Sequence, residues 1–255
     1  MTPLASLAGV RGILLDIEGT TTPIAFVHEI LFSYARAHLK KYISEHLHSS
    51  DLLSDLETLR EEHEVDVRHD LSPPPLISGS DEAQVHSIAE YVYWLMDRDR
   101  KSTGLKSLQG KIWKQGYLDE TLKAQVFADV APALTDWSRQ GLSISIFSSG
   151  SVLAQKLLFA HTDADDLTGF IDNYFDTTVG SKTDAESYRR IARELKVSPE
   201  EVVFISDVAG ELHAASNAGM KTLLCVRPGN QVQEGSELYQ TIQSFDEISI
   251  MSDTL

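Results

Sequence analysis

Leu14-Leu15-Asp16-Ile17-Glu18-Gly19-Thr20 closes a short apolar run that begins at Gly12, and the change from apolar to acidic at Asp16 decides the fold. A continuous apolar run of this length, ended by a turn, is the pattern of a strand buried on both faces, as in a parallel sheet. Asp16 then emerges at the carboxyl end of the strand, where open α/β sheets bind ligands. Three further β-type runs follow: Leu142 to Phe147, Val202 to Ile205 and Thr222 to Val226. Helical patterns follow the second and third, starting near Val152 and Val208. Strands alternating with helices predict an α/β protein with a doubly wound, mostly parallel, Rossmann-like sheet.

The first strand is separated from the others by a long helical stretch. From Ile24 to Leu47 the residues Val27, Ile30, Leu31, Tyr34, Leu39, Tyr42 and Ile43 recur at helical spacing, which predicts a long amphipathic helix. Val85, Ile88, Ala89, Val92, Leu95 and Met96 predict a second helix, and Leu105 to Trp113 a third. Pro73, Pro74 and Pro75 between them cannot sit in a helix interior or a central strand. The expected division is a core domain of residues 1–20 and 129–255, with an all-helical insertion at 21–128. Residues 251–255 are expected to fray.

Composition excludes several classes. Of 255 residues, 42% are apolar and 24% charged, within the globular range. Lys and Arg number 22 against 38 Asp and Glu, a formal charge of −16. Such a field repels a phosphate backbone, so nucleic acid is not an expected partner. A small anionic substrate needs local cations that reverse the sign within one pocket. The single cysteine, Cys225, lies in an apolar run and reads as core, so no internal disulfide forms. The start, MTPLASLAGVRG, lacks a secretory pattern, and no stretch approaches the ~18 apolar residues of a membrane span. The expectation is an intracellular protein with no membrane partner.

Four motifs carry chemistry. Asp16 and Glu18 stand two residues apart after the first strand, a spacing that suits a nucleophile beside a proton donor and acceptor. Gly19 permits the sharp turn between strand and insertion. Ser148, Ser149 and Gly150 occupy a strand-to-helix turn, where hydroxyls and free N–H groups cradle phosphate. Lys182 precedes the helix predicted over Ala185 to Leu195. Asp207 and Glu211 form a second acidic pair at a strand end, so Asp16 and Asp207 can converge on one hard cation such as Mg²⁺. Singly, each motif has an ordinary reading: a turn, a Ser N-cap, a solvated lysine, charge at a helix start. Their order along the chain argues for a site.

That order resembles the four motifs of the haloacid dehalogenase-like phosphatase superfamily over nearly the whole chain, and the helical insertion resembles that superfamily's cap. Within it, the sequence is most similar to the enolase-phosphatases of methionine salvage, through Leu14 to Val27 (LLDIEGTTTPIAFV) and Leu108-Gln109-Gly110-Lys111-Ile112-Trp113. Most of the superfamily has Asp where Glu18 stands, whereas Glu agrees with this branch. The resemblance implies that Asp16 forms an aspartyl-phosphate and Glu18 moves protons. It implies one Mg²⁺ per subunit, held by Asp16, the main-chain carbonyl of Glu18, and Asp207. Ser148, Ser149 and Lys182 would hold the phosphoryl oxygens. It further implies conversion of 2,3-diketo-5-methylthiopentyl-1-phosphate to the acireductone by a cytoplasmic monomer, present also in the nucleus if the source is eukaryotic. Glu18 is the candidate base for the enolisation, and the cap's apolar residues are candidates to receive the methylthio group; Trp113 itself reads as core. The alternatives are another Mg²⁺-dependent sugar-phosphate phosphatase or mutase of the superfamily, or a non-catalytic module, which would not need Asp16, Lys182 and Asp207 together.

Overall fold

In the structure, a computed structural model that describes residues 5–251, the run Gly12–Leu15 is a strand buried at all four residues, and Val202–Ser206 is buried at all five. Burial on both faces explains why these runs are apolar without alternation. In chain order the strands are Ala5–Ala8 (β1), Gly12–Leu15 (β2), Ser143–Phe147 (β3), Asn173–Phe175 (β4), Val202–Ser206 (β5), Lys221–Cys225 (β6), Thr241–Ile242 (β7) and Ile248–Met251 (β8). The helices are Phe32–His46 (α1), Ser50–Arg68 (α2), Asp81–Met96 (α3), Thr103–Leu118 (α4), Val130–Arg139 (α5), Val152–Ala160 (α6), Ala185–Leu195 (α7) and Ala209–Asn217 (α8). Residues 252–255, most of the segment expected to fray, lie outside the described residues, and Met251 ends β8.

Six strands form one parallel sheet in the order β4-β3-β2-β5-β6-β7, and β1 pairs with β8 in a separate two-stranded parallel sheet. The chain moves from β2 outward through β3 to β4, then returns to the other side of β2 with β5. This reversal makes β2 the topological switch point, where open α/β sheets hold ligands at the carboxyl ends of their strands. Register sets the levels: Leu15 lies opposite Ile146 on one side and Ile205 on the other. Asp16, the turn after β3 and the turn after β5 therefore leave the sheet together.

The chain divides into two compact units, one running to His28 and resuming at Lys123, the other Glu29–Leu122. The divisions expected at 20/21 and 128/129 fall eight and six residues from these. Thr21 explains part of the shift, because its carbonyl accepts from the Phe127 N–H at 3.0 Å and ties both connecting segments to the sheet unit. In that unit Leu14, Phe147, Tyr188, Phe204 and Leu212 are fully buried in one cluster. Burying each such side chain contributes on the order of 2 kcal/mol.

The helical unit holds α1–α4. Ser49, Ser80 and Ser102 cap α2, α3 and α4, each accepting a hydrogen bond from the N–H three residues on. Gly104 is required by packing, since a Cβ there would lie 2.6 Å from Leu59 Cγ. The predicted helix from Ile24 begins instead with a wide π-turn over Phe26–Leu31 before α1. Trp113 is core, as expected, with its indole N–H donating to the Leu31 carbonyl at 2.8 Å. Between α2 and α3, residues 71–78 form neither helix nor strand, as the three prolines dictate. No helix among the described residues is long and apolar enough to cross a membrane.

Candidate active site

Asp16 follows β2 and continues its ladder, its N–H donating to the Ile205 carbonyl at 3.0 Å. Its buried carboxylate is fixed by three donors: the Ile17 N–H (2.8 Å) and Lys182 Nζ (2.6 Å) on Oδ1, and the Ser206 hydroxyl (3.1 Å) at Oδ2. The chain then turns tightly, with the N–H groups of Thr20, Thr21 and Thr22 all pointing at the Ile17 carbonyl. Gly19 is needed twice over. Its φ of +70° favours glycine, and a Cβ there would lie 2.4 Å from Asp207 Oδ2. The loops after β2 and β5 thus touch where a side chain would have separated them.

Lys182 reaches this point from the segment before α7. Asp184 caps that helix, Tyr188 and Ile191 bury its inner face, and the Tyr188 hydroxyl donates to the Lys182 carbonyl at 2.7 Å. The ammonium is 7% exposed and lies between Asp16 Oδ1 and Glu211 Oε2, the latter at 2.7 Å. Burial alone would push its pKa down. The Asp16 and Glu211 carboxylates outweigh burial and hold it above the ordinary lysine range.

Ser206 ends β5, its hydroxyl 3.1 Å from both Asp16 Oδ2 and Glu211 Oε2, and accepts from the Val208 N–H. Asp207 is 9% exposed; burial, reinforced by the Asp16 charge, pushes its carboxyl up to about 7. Burial and Asp16 also raise Glu211, against the pull of Lys182. Glu18 pairs with a different group: its Oε1 meets His28 Nε2 at 2.5 Å, on the π-turn. Burial raises its pKa and His28 partly offsets the rise.

Asp16, Lys182, Asp207 and Glu211 are therefore gathered at the ends of β2 and β5. Ser148, just past β3, closes on its own loop by accepting from the Gly150 N–H at 3.3 Å, and Ser149 stands exposed beside it. The buried Gln155 steadies this turn, its amide donating to the carbonyls of Gly150 and Phe175 at 2.8 Å each. Sequence reasoning gave no role to the Ser206 hydroxyl, to His28, or to the loop after β6, three of whose side chains bond the acid loops. No periodic spacing marks them, and Arg227, Asn230 and Gln233 act on residues distant in sequence. Three buried carboxylates lie near one buried ammonium, which pairs with two of them, an excess of acidic groups at the carboxyl ends of the two central strands.

Comparison with known proteins bears on this arrangement. The family pattern of the haloacid dehalogenase-like hydrolases matches residues 10–219. A protein of Synechococcus elongatus described as enolase-phosphatase E1 is 47% identical, over 94% of this chain and 98% of its own. A probable bifunctional methylthioribulose-1-phosphate dehydratase/enolase-phosphatase E1 of Arabidopsis thaliana is 43% identical over 93% of this chain and 48% of its own. Among solved structures, the UTR4 protein of Saccharomyces cerevisiae superposes with a TM-score of 0.74 at 34% identity, covering 93% of this chain and 99% of that one.

Proposed function

The chain belongs to the haloacid dehalogenase-like hydrolases and, within them, to the enolase-phosphatases, and from that premise we propose how its residues carry both reactions. The enzyme takes the 2,3-diketo-5-methylthiopentyl phosphate of methionine salvage, enolises it and removes its phosphate to give the acireductone. The observation that carries the assignment is Lys182, buried between Asp16 and Glu211 at the strand ends. A lysine so placed holds the Asp16 carboxylate in one orientation, as a nucleophile requires.

Asp16 attacks phosphorus, forming an aspartyl-phosphate that water later hydrolyses. Its carboxylate is held in one orientation by Ile17, Lys182 and Ser206, so little is lost to reorientation as the bond forms. Lys182 stays in place to meet the phosphoryl oxygens as charge develops on them. The hydroxyls of Ser148 and Ser149, with main-chain N–H groups near Ser149, supply the remaining contacts from the turn after β3. Glu18 protonates the departing oxygen and then accepts a proton from the attacking water. It is also the proposed base of the enolisation, with His28 on Oε1 holding its carboxylate still.

The donor set fits a divalent cation. Asp16, Asp207 and Glu211 are three buried carboxylates against one lysine, and oxygen donors of this kind suit Mg²⁺. Asp16, Asp207 and the main-chain carbonyl of Glu18 would hold one ion per subunit. Bound there, Mg²⁺ supplies positive charge against the phosphoryl oxygens and polarises the substrate carbonyl. The substrate is small and anionic, and local charge outweighs the chain's −16 at contact distance. We place the work of the enzyme in the cytoplasm, as a monomer.

The test is incubation with the diketo phosphate, following enol absorbance and phosphate release together, with and without Mg²⁺. Both signals are expected to require Mg²⁺, and Asp16→Asn is expected to release no phosphate. Phosphate without any enol signal would reassign the chain to an ordinary phosphatase of the family.

A further inference from the structure

The loop that follows β6, Arg227-Pro228-Gly229-Asn230-Gln231-Val232-Gln233, bonds to both acid loops by side chains alone. Asn230 Nδ2 donates to the Gly19 carbonyl at 2.9 Å and to the Cys225 carbonyl at 3.2 Å, so it ties the turn after Glu18 to the end of β6. Gln233 treats the other loop in the same way. Its Nε2 donates to the Asp207 carbonyl at 3.1 Å, and its Oε1 accepts from the Ala209 N–H at 3.0 Å. Arg227 Nε donates to the Thr20 carbonyl at 3.1 Å.

The arginine is itself immobilised. Its guanidinium is buried, paired with both oxygens of Asp129 (3.0 and 2.9 Å), bonded to the Gln243 carbonyl (2.8 Å) and held between the rings of Phe127 and Phe245. Asp129 is fixed in turn by the Phe245 N–H and the Ser244 hydroxyl. A brace with such an anchor resists displacement of what it holds. What it holds is the main chain beside Glu18 and Asp207, on the two loops that Gly19 already brings into contact.

We propose that Arg227, Asn230 and Gln233 are positioning residues that clasp these loops at the separation a shared divalent cation requires. Asp16 and Asp207 repel each other when the ion is absent, and the clasp resists their parting. The inference rests on the reading that these carboxylates hold the ion, and it assigns to the loop the task of setting their affinity for it. Outer groups that orient metal ligands are worth ~10–100-fold in affinity.

The experiment is calorimetric titration of the metal-free protein with MgCl₂, for wild type, Asn230→Ala, Gln233→Ala and Gln233→Glu, with thermal melts and the Mg²⁺ dependence of kcat alongside. Asn230→Ala and Gln233→Ala are expected to bind Mg²⁺ about tenfold more weakly, with metal-free melting close to wild type and kcat recovering at saturating Mg²⁺. Gln233→Glu keeps the acceptor for Ala209 but loses the donor to Asp207, and should fall between. Folded variants with wild-type Mg²⁺ affinity, or melting losses at unchanged affinity, would overturn the clasp. If the wild type binds no Mg²⁺, the metal reading falls and takes the clasp with it. Wild-type binding matched by equal binding in every variant removes the clasp alone.

Discussion

Buried charge occurs in both units of this protein, and the cluster at the ends of β2 and β5 treats it unlike the helical unit. In the helical unit Asp66 is 1% exposed, and its carboxylate accepts from the Tyr91 hydroxyl at 2.9 Å and is paired with Arg100. Asp55 accepts from the Ser107 hydroxyl at 2.7 Å and from Lys111 at 2.6 Å. Each carboxylate there has a cation of its own. At the ends of β2 and β5, Asp16 and Glu211 share Lys182, and Asp207 has no paired cation among the described residues. Burying an ion is tolerable when partners replace water, so the helical pairs read as structure. On the proposed function, the unmatched cluster lowers the stability of the metal-free chain and is completed by its ion. The comparison then sets a buried charge that holds a fold against one kept for the proposed chemistry.

Removing Lys182 should widen that contrast most. Lys182→Met leaves Asp16, Asp207 and Glu211 with no cation, and loss of a buried partner costs ~3–5 kcal/mol. Phosphate release should fall by ~10²–10³ or more, the scale of losing one charge-stabilising group. Thermal melts and phosphate release measure the two effects. A variant that melts like wild type would show that the cluster is solvated rather than buried.

Asp66→Asn should act more mildly and on stability alone. Tyr91 keeps a partner, but Arg100 loses its counter-ion, for a cost of about 2 kcal/mol. Asp207→Asn should differ from both. It removes an unmatched charge, so the metal-free protein should melt no lower than wild type, while the stabilisation given by Mg²⁺ disappears. In wild type that stabilisation should reach ~2.7 kcal/mol at a hundredfold excess of Mg²⁺ over its Kd. If Asp66→Asn and Asp207→Asn lowered metal-free stability equally, the distinction between matched and unmatched charge would be lost.

The sequence made one side of this contrast easier to read than the other. The sheet was legible in β2 and β5, whose apolar runs report burial on both faces directly, and in β3 and β6, whose apolar residues end in a run before a turn. β4 and β7, of three and two residues, lie at the sheet edges and offer too little pattern. α2 escaped because Leu52, Leu56 and Leu59 are diluted by charge around them. Asp16, Lys182 and Asp207 were legible through order along the chain. Asn230 and Gln233 were not, since a side chain bonding a distant carbonyl leaves no periodic trace.

Cys225 offers the smallest test, and a third way of burying a titratable group. It is fully buried at the end of β6, beside the Asn230 bond to its carbonyl. Burial pushes its thiol up to about 12, with Arg227 pulling the other way. The group therefore avoids the problem of charge by staying neutral. A raised acid pKa adds stability that is present below the unfolded value and lost as pH rises through the folded one, so this contribution is intact at neutral pH. At pH 8.5 the native thiolate fraction is on the order of 10⁻³ or less, against about half in the unfolded chain. Alkylation by iodoacetamide should accordingly be at least ~10³-fold slower in the native protein than in denaturant and should track global unfolding. Rapid labelling of Cys225 without loss of native structure would mean that the end of β6 opens on its own. The clasp could not then hold the two acid loops steady, because Asn230 is anchored at that strand end.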